Sequence, residues 1–243
     1  MYCTILLYLR RYPSDWMVGG KSKSCGKNGR NDVINLYTFF RNCPKRSLPD
    51  FHRMSEVQKC PADTLIVVIG GMGPLAGIDC LRYITDNCKT DGTDQDNLNT
   101  ILLSCPSLIE SRVDFIMGVS DVNPANSILR LLEPQLHSLK TLFKRILIGA
   151  SCITFHCPKS FSVFEAGMKR SFPDVEIVSL ISSTVTFIKD HFSESKRIAI
   201  MSTDGTRKAK PFESEFLSNG FSPIYLSDAQ QAVVTECIYN HEW

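Results

Sequence analysis

Several things are missing from this sequence, and each absence removes a class of function. No apolar run reaches the roughly 18 residues that a membrane span needs, so no bilayer-crossing helix is expected. None of the ten cysteines stands in a C-x-x-C pair. Cys152 and Cys157 lie near His156, but no second ligand pair is found after them, so a zinc site is not expected. The apolar stretch 2–9 has no basic residue before it and no small-residue cleavage site after it, which makes it a poor secretory signal. Free thiols in a reducing compartment therefore fit better than a disulfide framework, and a cytoplasmic location is expected. A broad basic surface is missing too. The net charge of +2 divides into 11 Lys/Arg against 5 Asp/Glu over residues 1–63 and 16 against 20 over the rest. The mildly acidic remainder offers no nucleic-acid footprint.

What is present is the composition of an ordinary soluble globular chain, 43% hydrophobic and 21% charged. Its 243 residues suffice for one large or two small domains. Residues 1–63 differ from the rest: a Gly/Lys/Ser/Asn tract at 21–31 lacks apolar periodicity, and Pro44, Pro49 and Pro61 punctuate the second half of the segment. This stretch reads as a basic, disordered extension, with a basic arm for an acidic surface as the functional alternative.

From residue 65 onward, β-branched runs alternate with helical periodicity. Residues 65–69 read as a buried strand, and Gly70-Gly71-Met72-Gly73 turns the chain into a helix with Pro74 at its first position. A second strand is predicted at 99–104. A helical pattern covers 123–145, where Pro134 should kink or split the helix. A third strand at 145–150 precedes a helix at 158–170. The pattern restarts after Pro173-Asp174: strand 176–181, helix 182–192, strand 197–201, helix near 211–217, strand 222–226 and helix 229–239. This alternation argues an α/β fold with mostly parallel sheets. The restart divides it into two Rossmann-like lobes, 64–173 and 174–243.

The candidate chemistry sits where predicted strands end, the edge at which open α/β sheets bind ligands. Cys152 comes after the third strand and before a helix, where unpaired N–H groups stabilise a thiolate; a buried structural cysteine is the alternative. Gly71-Met72-Gly73-Pro74-Leu75-Ala76 fits the dinucleotide fingerprint G-x-G-x-x-A. That reading requires an acidic residue at the end of the second strand, which instead ends Ser104-Cys105-Pro106. A glycine turn able to accept a carboxylate or phosphate remains. Arg112 lies just beyond the second strand, where it can grip a carboxylate with two parallel N–H bonds, or serve as a surface arginine. Thr203-Asp204-Gly205-Thr206 supplies hydroxyls and N–H donors, or a helix cap. His156 is either a proton carrier or a buried, capping histidine.

In series, the strand with Gly-Gly-Met-Gly-Pro, Thr93-Asp94-Gln95-Asp96, the segment from Pro106 to Arg112, Cys152-x-Thr154-x-His156, Thr203-Asp204-Gly205-Thr206 and the run from Gln231 to Tyr239 resemble the aspartate/glutamate racemase family, aspartate racemase branch. The resemblance covers residues 64–239. It implies two α/β lobes with the active site in the cleft between them, and interconversion of L- and D-aspartate or glutamate without pyridoxal phosphate or any other cofactor. One cysteine from each lobe moves the α-proton. By resemblance Cys152 is the first-lobe acid/base, Arg112 binds a substrate carboxylate, and Met72, Thr154, Thr203 and Thr206 line the pocket. The partner implied is a small acidic amino acid, with no nucleic acid or membrane, and family members commonly form homodimers.

Three positions depart from the family pattern. Ile153 stands where the family has asparagine, Trp243 falls where it has lysine, and the second cysteine belongs to a Gly-Cys-Thr-Glu-like motif beyond residue 243. Cys237 lies within a predicted helix and is no substitute. The expectation is a C-terminally truncated chain with an incomplete second lobe. The departures carry an alternative reading, a catalytically impaired descendant that binds a small carboxylate or a protein. A third reading is a related cysteine enzyme such as a maleate isomerase or hydantoin racemase.

Overall fold

Runs of β-branched residues set the central strands, because Val and Ile pack well on a pleated surface buried from both sides. In the computed structural model, which describes residues 6–8, 62–88, 90–192 and 194–239, the 64–69 run forms β2 (Thr64–Ile69) at the middle of a four-stranded, all-parallel sheet. Its order is β3-β2-β4-β5, with β3 (Asn99–Leu103), β4 (Arg145–Ala150) and β5 (Glu176–Val178). Leu65 stands opposite Asn99 on one side and Ile146 on the other. A second sheet has the order β1-β6-β7. There β6 (Arg197–Met201) runs parallel to β7 (Ser222–Tyr225) and antiparallel to β1 (Leu6–Tyr8). The fold is thus α/β with mostly parallel sheets, as the alternation predicts.

The helices are α1 (Pro74–Asp86), α2 (Arg112–Met117), α3 (Pro124–Leu139), α4 (Pro158–Ser171), α5 (Leu180–His191), α6 (Asp204–Ala209), α7 (Glu213–Ser218) and α8 (Asp228–Tyr239). None is long and apolar enough to cross a membrane, among the described residues. Burial divides into two hydrophobic clusters. The first joins Leu65, Val67 and Ile69 of β2 to Ile128, Leu132 and Leu136 of α3 and Phe164 and Met168 of α4. The second joins Ile198 and Ile200 of β6 to Ile181, Val185 and Ile188 of α5 and Phe212, Phe216 and Phe221 around α7.

Three details differ from the sequence reading. The division at 173/174 puts β5 with the second sheet, whereas β5 pairs with β4, Ile148 opposite Ile177, and so completes the first. Strand–helix alternation cannot say which sheet a strand joins; that depends on which open edge lies within reach. Pro134 neither kinks nor splits its helix: α3 runs unbroken from Pro124 to Leu139. The hydrogen bond that proline removes is the one to Arg130, and both residues are exposed, so water can satisfy that carbonyl. The helix also stops short of the predicted 123–145 span: Leu142 lies past its end and is exposed. Of residues 1–63, only 6–8 and 62–63 are described. Leu6–Tyr8 forms a strand, and the 21–31 tract and proline-punctuated segment fall outside the described residues.

Candidate active site

In the first sheet the chain leaves β2 toward β3 on one side, and leaves β4 toward β5 on the other. Adjacent strands whose connections depart in opposite directions open a crevice at their carboxyl ends, the place where doubly wound sheets take ligands. The turn after β2 carries Met72, and the turn after β4 carries Cys152. Both are buried in the first hydrophobic cluster.

The glycines of the β2–α1 turn are explained by packing. Gly71 has φ +77°, and a Cβ there would meet the Cys105 amide nitrogen at 3.0 Å. Gly77 is buried, and a Cβ there would press Leu102 Cδ1 at 2.8 Å. The two glycines of the G-x-G-x-x-A likeness are those the turn itself requires, Gly71 at φ +77° against the Cys105 backbone and Gly73 at φ +109°.

Residues 152–156 form the seam between the two cores, side chain by side chain. Cys152, 3% exposed, belongs to the first cluster, and Ile153 belongs to the second. Thr154 reaches across to α6: its Oγ1 lies 2.7 Å from Thr206 Oγ1. Phe155 returns to the first cluster, edge-on to Phe161 and Phe164. His156 donates from Nδ1 to the Cys152 carbonyl at 2.8 Å. Its Nε2 accepts the Leu180 N–H at 3.2 Å. Burial pushes its imidazole down to about 4, with the Cys152 carbonyl acting in the opposite sense, so the ring is neutral at physiological pH. Both nitrogens are engaged, which removes His156 as a proton carrier in this arrangement and leaves the buried-histidine alternative.

From the second sheet, β6 delivers Ser202, Thr203 and the short helix α6. Thr203 caps α6, accepting the Thr206 N–H at 3.4 Å, and its hydroxyl donates to Thr206 Oγ1 at 3.3 Å. Thr203, Thr206 and Thr154 are therefore a continuous chain of hydroxyls across the seam. Gly205 lets the two sides meet, since a Cβ there would lie 2.9 Å from Val113 Cγ2 and 3.4 Å from Thr154 Cγ2. Arg112, first residue of α2, stands beside that contact through its neighbour Val113. Its Nη1 donates to the Glu110 carbonyl at 3.3 Å. Its Nε is buried with no hydrogen-bond partner, a donor that an added carboxylate could accept from; Glu110 Oε2, buried and unpartnered beside it, is an acceptor that a carboxylate would not satisfy.

Among the described residues no group of three or more His, Cys, Asp or Glu is placed to hold a metal ion. Gln231 of α8, 3% exposed, has no role predictable from its motif. Its Nε2 donates to the Ser202 carbonyl at 2.9 Å and to Thr235 Oγ1 at 3.2 Å, and Thr235 in turn donates to Asp204 Oδ2 at 3.1 Å. This network fixes the end of β6. The only signal for it in the sequence is a glutamine one helical turn before the apolar Val234. Ile153 also takes a meaning that the motif lacked, since its side chain fills the second core and an asparagine amide there would be buried among apolar groups.

The Thr154–Thr206 bond yields a stability prediction. In a double-mutant cycle of Thr154→Val and Thr206→Val, monitored by urea unfolding, we expect a coupling of about 1 kcal/mol, the worth of one buried neutral hydrogen bond. Additive losses would show that the two hydroxyls do not hold the seam.

No family model matches the chain. Among solved structures it is similar to an aspartate racemase from Picrophilus torridus, at 18% identity and TM-score 0.53, covering 72% of this chain and 67% of that one. A provisionally assigned Asp/Glu racemase from Yersinia pestis matches at 20% identity and TM-score 0.54, over 72% of this chain and 70% of that one. An aspartate racemase homologue from Pyrococcus horikoshii OT3 matches at 16% identity and TM-score 0.51, again over 72% and 70%. The resemblance read from the motifs and the likeness in three dimensions thus point to the same set of proteins, and the chain has the fold of these racemase structures.

Proposed function

We propose that this protein acts on a small acidic amino acid as a cofactor-independent racemase of the aspartate type, with Cys152 moving the α-proton on one face. The observation that carries the reading is the placement of Cys152 after β4 at the switch point of the first sheet, in one buried cluster with Met72 and adjoining the hydroxyl chain Thr154–Thr206–Thr203. The likeness of fold to solved racemases supports the reaction class. Removing an α-proton leaves negative charge spreading into the neighbouring carboxylate, so the site must supply fixed hydrogen-bond donors where that charge grows. Hydroxyls and a guanidinium do this best away from water. Arg112, with its buried Nε unpartnered, is the group proposed to grip the carboxylate. Inversion then needs a second acid on the opposite face, a role the family resemblance gives to a cysteine of the other lobe. A homodimer and a cytoplasmic setting belong to the same proposal.

One observation favours the non-catalytic alternative. Ile153 lies in the second core, so the seam lacks the polar group that the family's asparagine provides. The protein would then hold a carboxylate without turning it over. Calorimetric titration with L- and D-aspartate tests the part common to both readings. We expect saturable binding that Arg112→Met weakens by about 10- to 100-fold, the loss of a charge-assisted pair. Equal affinity in wild type and Arg112→Met would remove Arg112 from the site, and no binding by wild type would remove the acidic amino acid.

A further inference from the structure

We infer that His156 is a positioning residue for Cys152: its imidazole ties the Cys152 peptide to the first turn of α5 and so fixes the thiol at the carboxyl end of β4. The inference rests on the reading of Cys152 as the reactive thiol, and its geometry is independent of that reading. A backbone N–H can only donate, so Nε2 must accept the Leu180 N–H, and the ring proton must lie on Nδ1, where it donates to the Cys152 carbonyl. The partners alone therefore choose the tautomer. The ring plane is held as well, stacked on Phe161 with centroids 4.4 Å apart and planes 27° apart.

Each end of this clamp has a consequence. Leu180 opens α5, whose first-turn N–H groups lack partners within the helix. Ser179 accepts the Ser182 N–H and His156 takes that of Leu180, so the ring does part of the capping. Ile181, Val185 and Ile188 of the same helix build the second core. At the other end, the Cys152 carbonyl lies immediately after β4 and beside the residue that crosses to that core. One side chain thus joins the peptide that bears the thiol to the helix that supports β6.

The two nitrogens can be separated by substitution. His156→Asn places an amide N–H near the Nδ1 position and keeps the bond to Cys152. His156→Gln carries its carbonyl further out, near Nε2, and keeps the bond to Leu180. His156→Ala keeps neither. The readout is the rate at which a small haloacetamide alkylates Cys152, measured by peptide mass spectrometry, together with kcat and KM for α-hydrogen exchange from aspartate in D2O.

Losing the Cys152 bond should raise local opening and alkylate Cys152 about tenfold faster in the Gln and Ala variants. The Asn variant should stay near wild type. In the exchange assay kcat should fall in Gln and Ala with KM little changed, because Arg112 and the hydroxyls are untouched. Equal alkylation in Asn and Gln, at any rate, overturns the inference. If wild type shows no exchange, the racemase reading fails, and the alkylation comparison still decides the positioning role. If His156→Ala does not fold, Asn against Gln decides it alone.

Discussion

In D2O the protein is expected to wash the α-hydrogen out of at least one enantiomer of aspartate, and Cys152→Ala is expected to slow this by about 10²- to 10⁴-fold. The α-proton is too weakly acidic for water to remove quickly. On the proposed reading the Cys152 sulfur takes that proton while hydroxyls and a guanidinium meet the developing charge, which lowers the barrier. A single thiol takes the proton from one face and returns solvent deuterium to the same face, so exchange needs only Cys152. Loss of the α-proton NMR signal from each enantiomer separately measures it. Exchange that survives Cys152→Ala would place the proton carrier elsewhere. Aspartate binding without exchange would decide for the non-catalytic alternative.

A second large effect arises from the buried imidazole. Between pH 6.5 and about 4 the protein is expected to lose about 3 kcal/mol of folding stability through His156. In the folded state the ring refuses its proton until pH falls to about 4, because burial penalises the charged form and Nε2 is committed to the Leu180 N–H. In the unfolded chain it takes the proton from 6.5 downward. The unfolded state therefore binds more protons throughout this window. The stabilisation is complete above pH 6.5, declines as pH falls, and is gone below about 4. Urea unfolding at pH 7.5, 5.5 and 4.5 measures the slope, which His156→Gln should flatten.

Other titrating groups act elsewhere or in the opposite sense. Lys140 holds Asp174, and Arg145 holds Glu176, below the usual carboxylate range, so those pairs fail at still lower pH. Burial pushes Glu165 up, which opposes the histidine in direction. A flat stability profile in wild type would show that the ring is already charged or exposed.

How much of this is legible in the sequence varies from residue to residue. The strands β2, β4 and β6 are readable because short apolar runs rich in Ile and Val, bounded by polar or turn residues, fit a buried strand. The glycine turn after β2 and the proline at the first position of α1 are readable for the same local reason. So is the position of Cys152 at a strand's carboxyl end, since that depends only on neighbouring residues. The hydroxyls of Thr203 and Thr206 are legible as a cap, and Thr154 as part of a motif.

Their meeting is not legible. Thr154 and Thr206 lie 52 residues apart, and nothing local says that their oxygens come within 2.7 Å. The side that Ile153 faces is equally hidden. A substitution of asparagine by isoleucine reads in sequence as a lost polar contact, whereas packing makes it a member of the second core. Which sheet receives β5 depends on which edge is open, a question about the folded surface. The role of His156 turns on Leu180, 24 residues away, because a ring nitrogen's chemistry is set by the group that faces it. By itself the sequence determined the elements, the turns and the kinds of group available, since these depend on short-range sterics and periodic burial. Only the tertiary structure decided which groups share the seam, which nitrogens are occupied and which core each side chain fills, since those depend on contacts between segments distant in the chain.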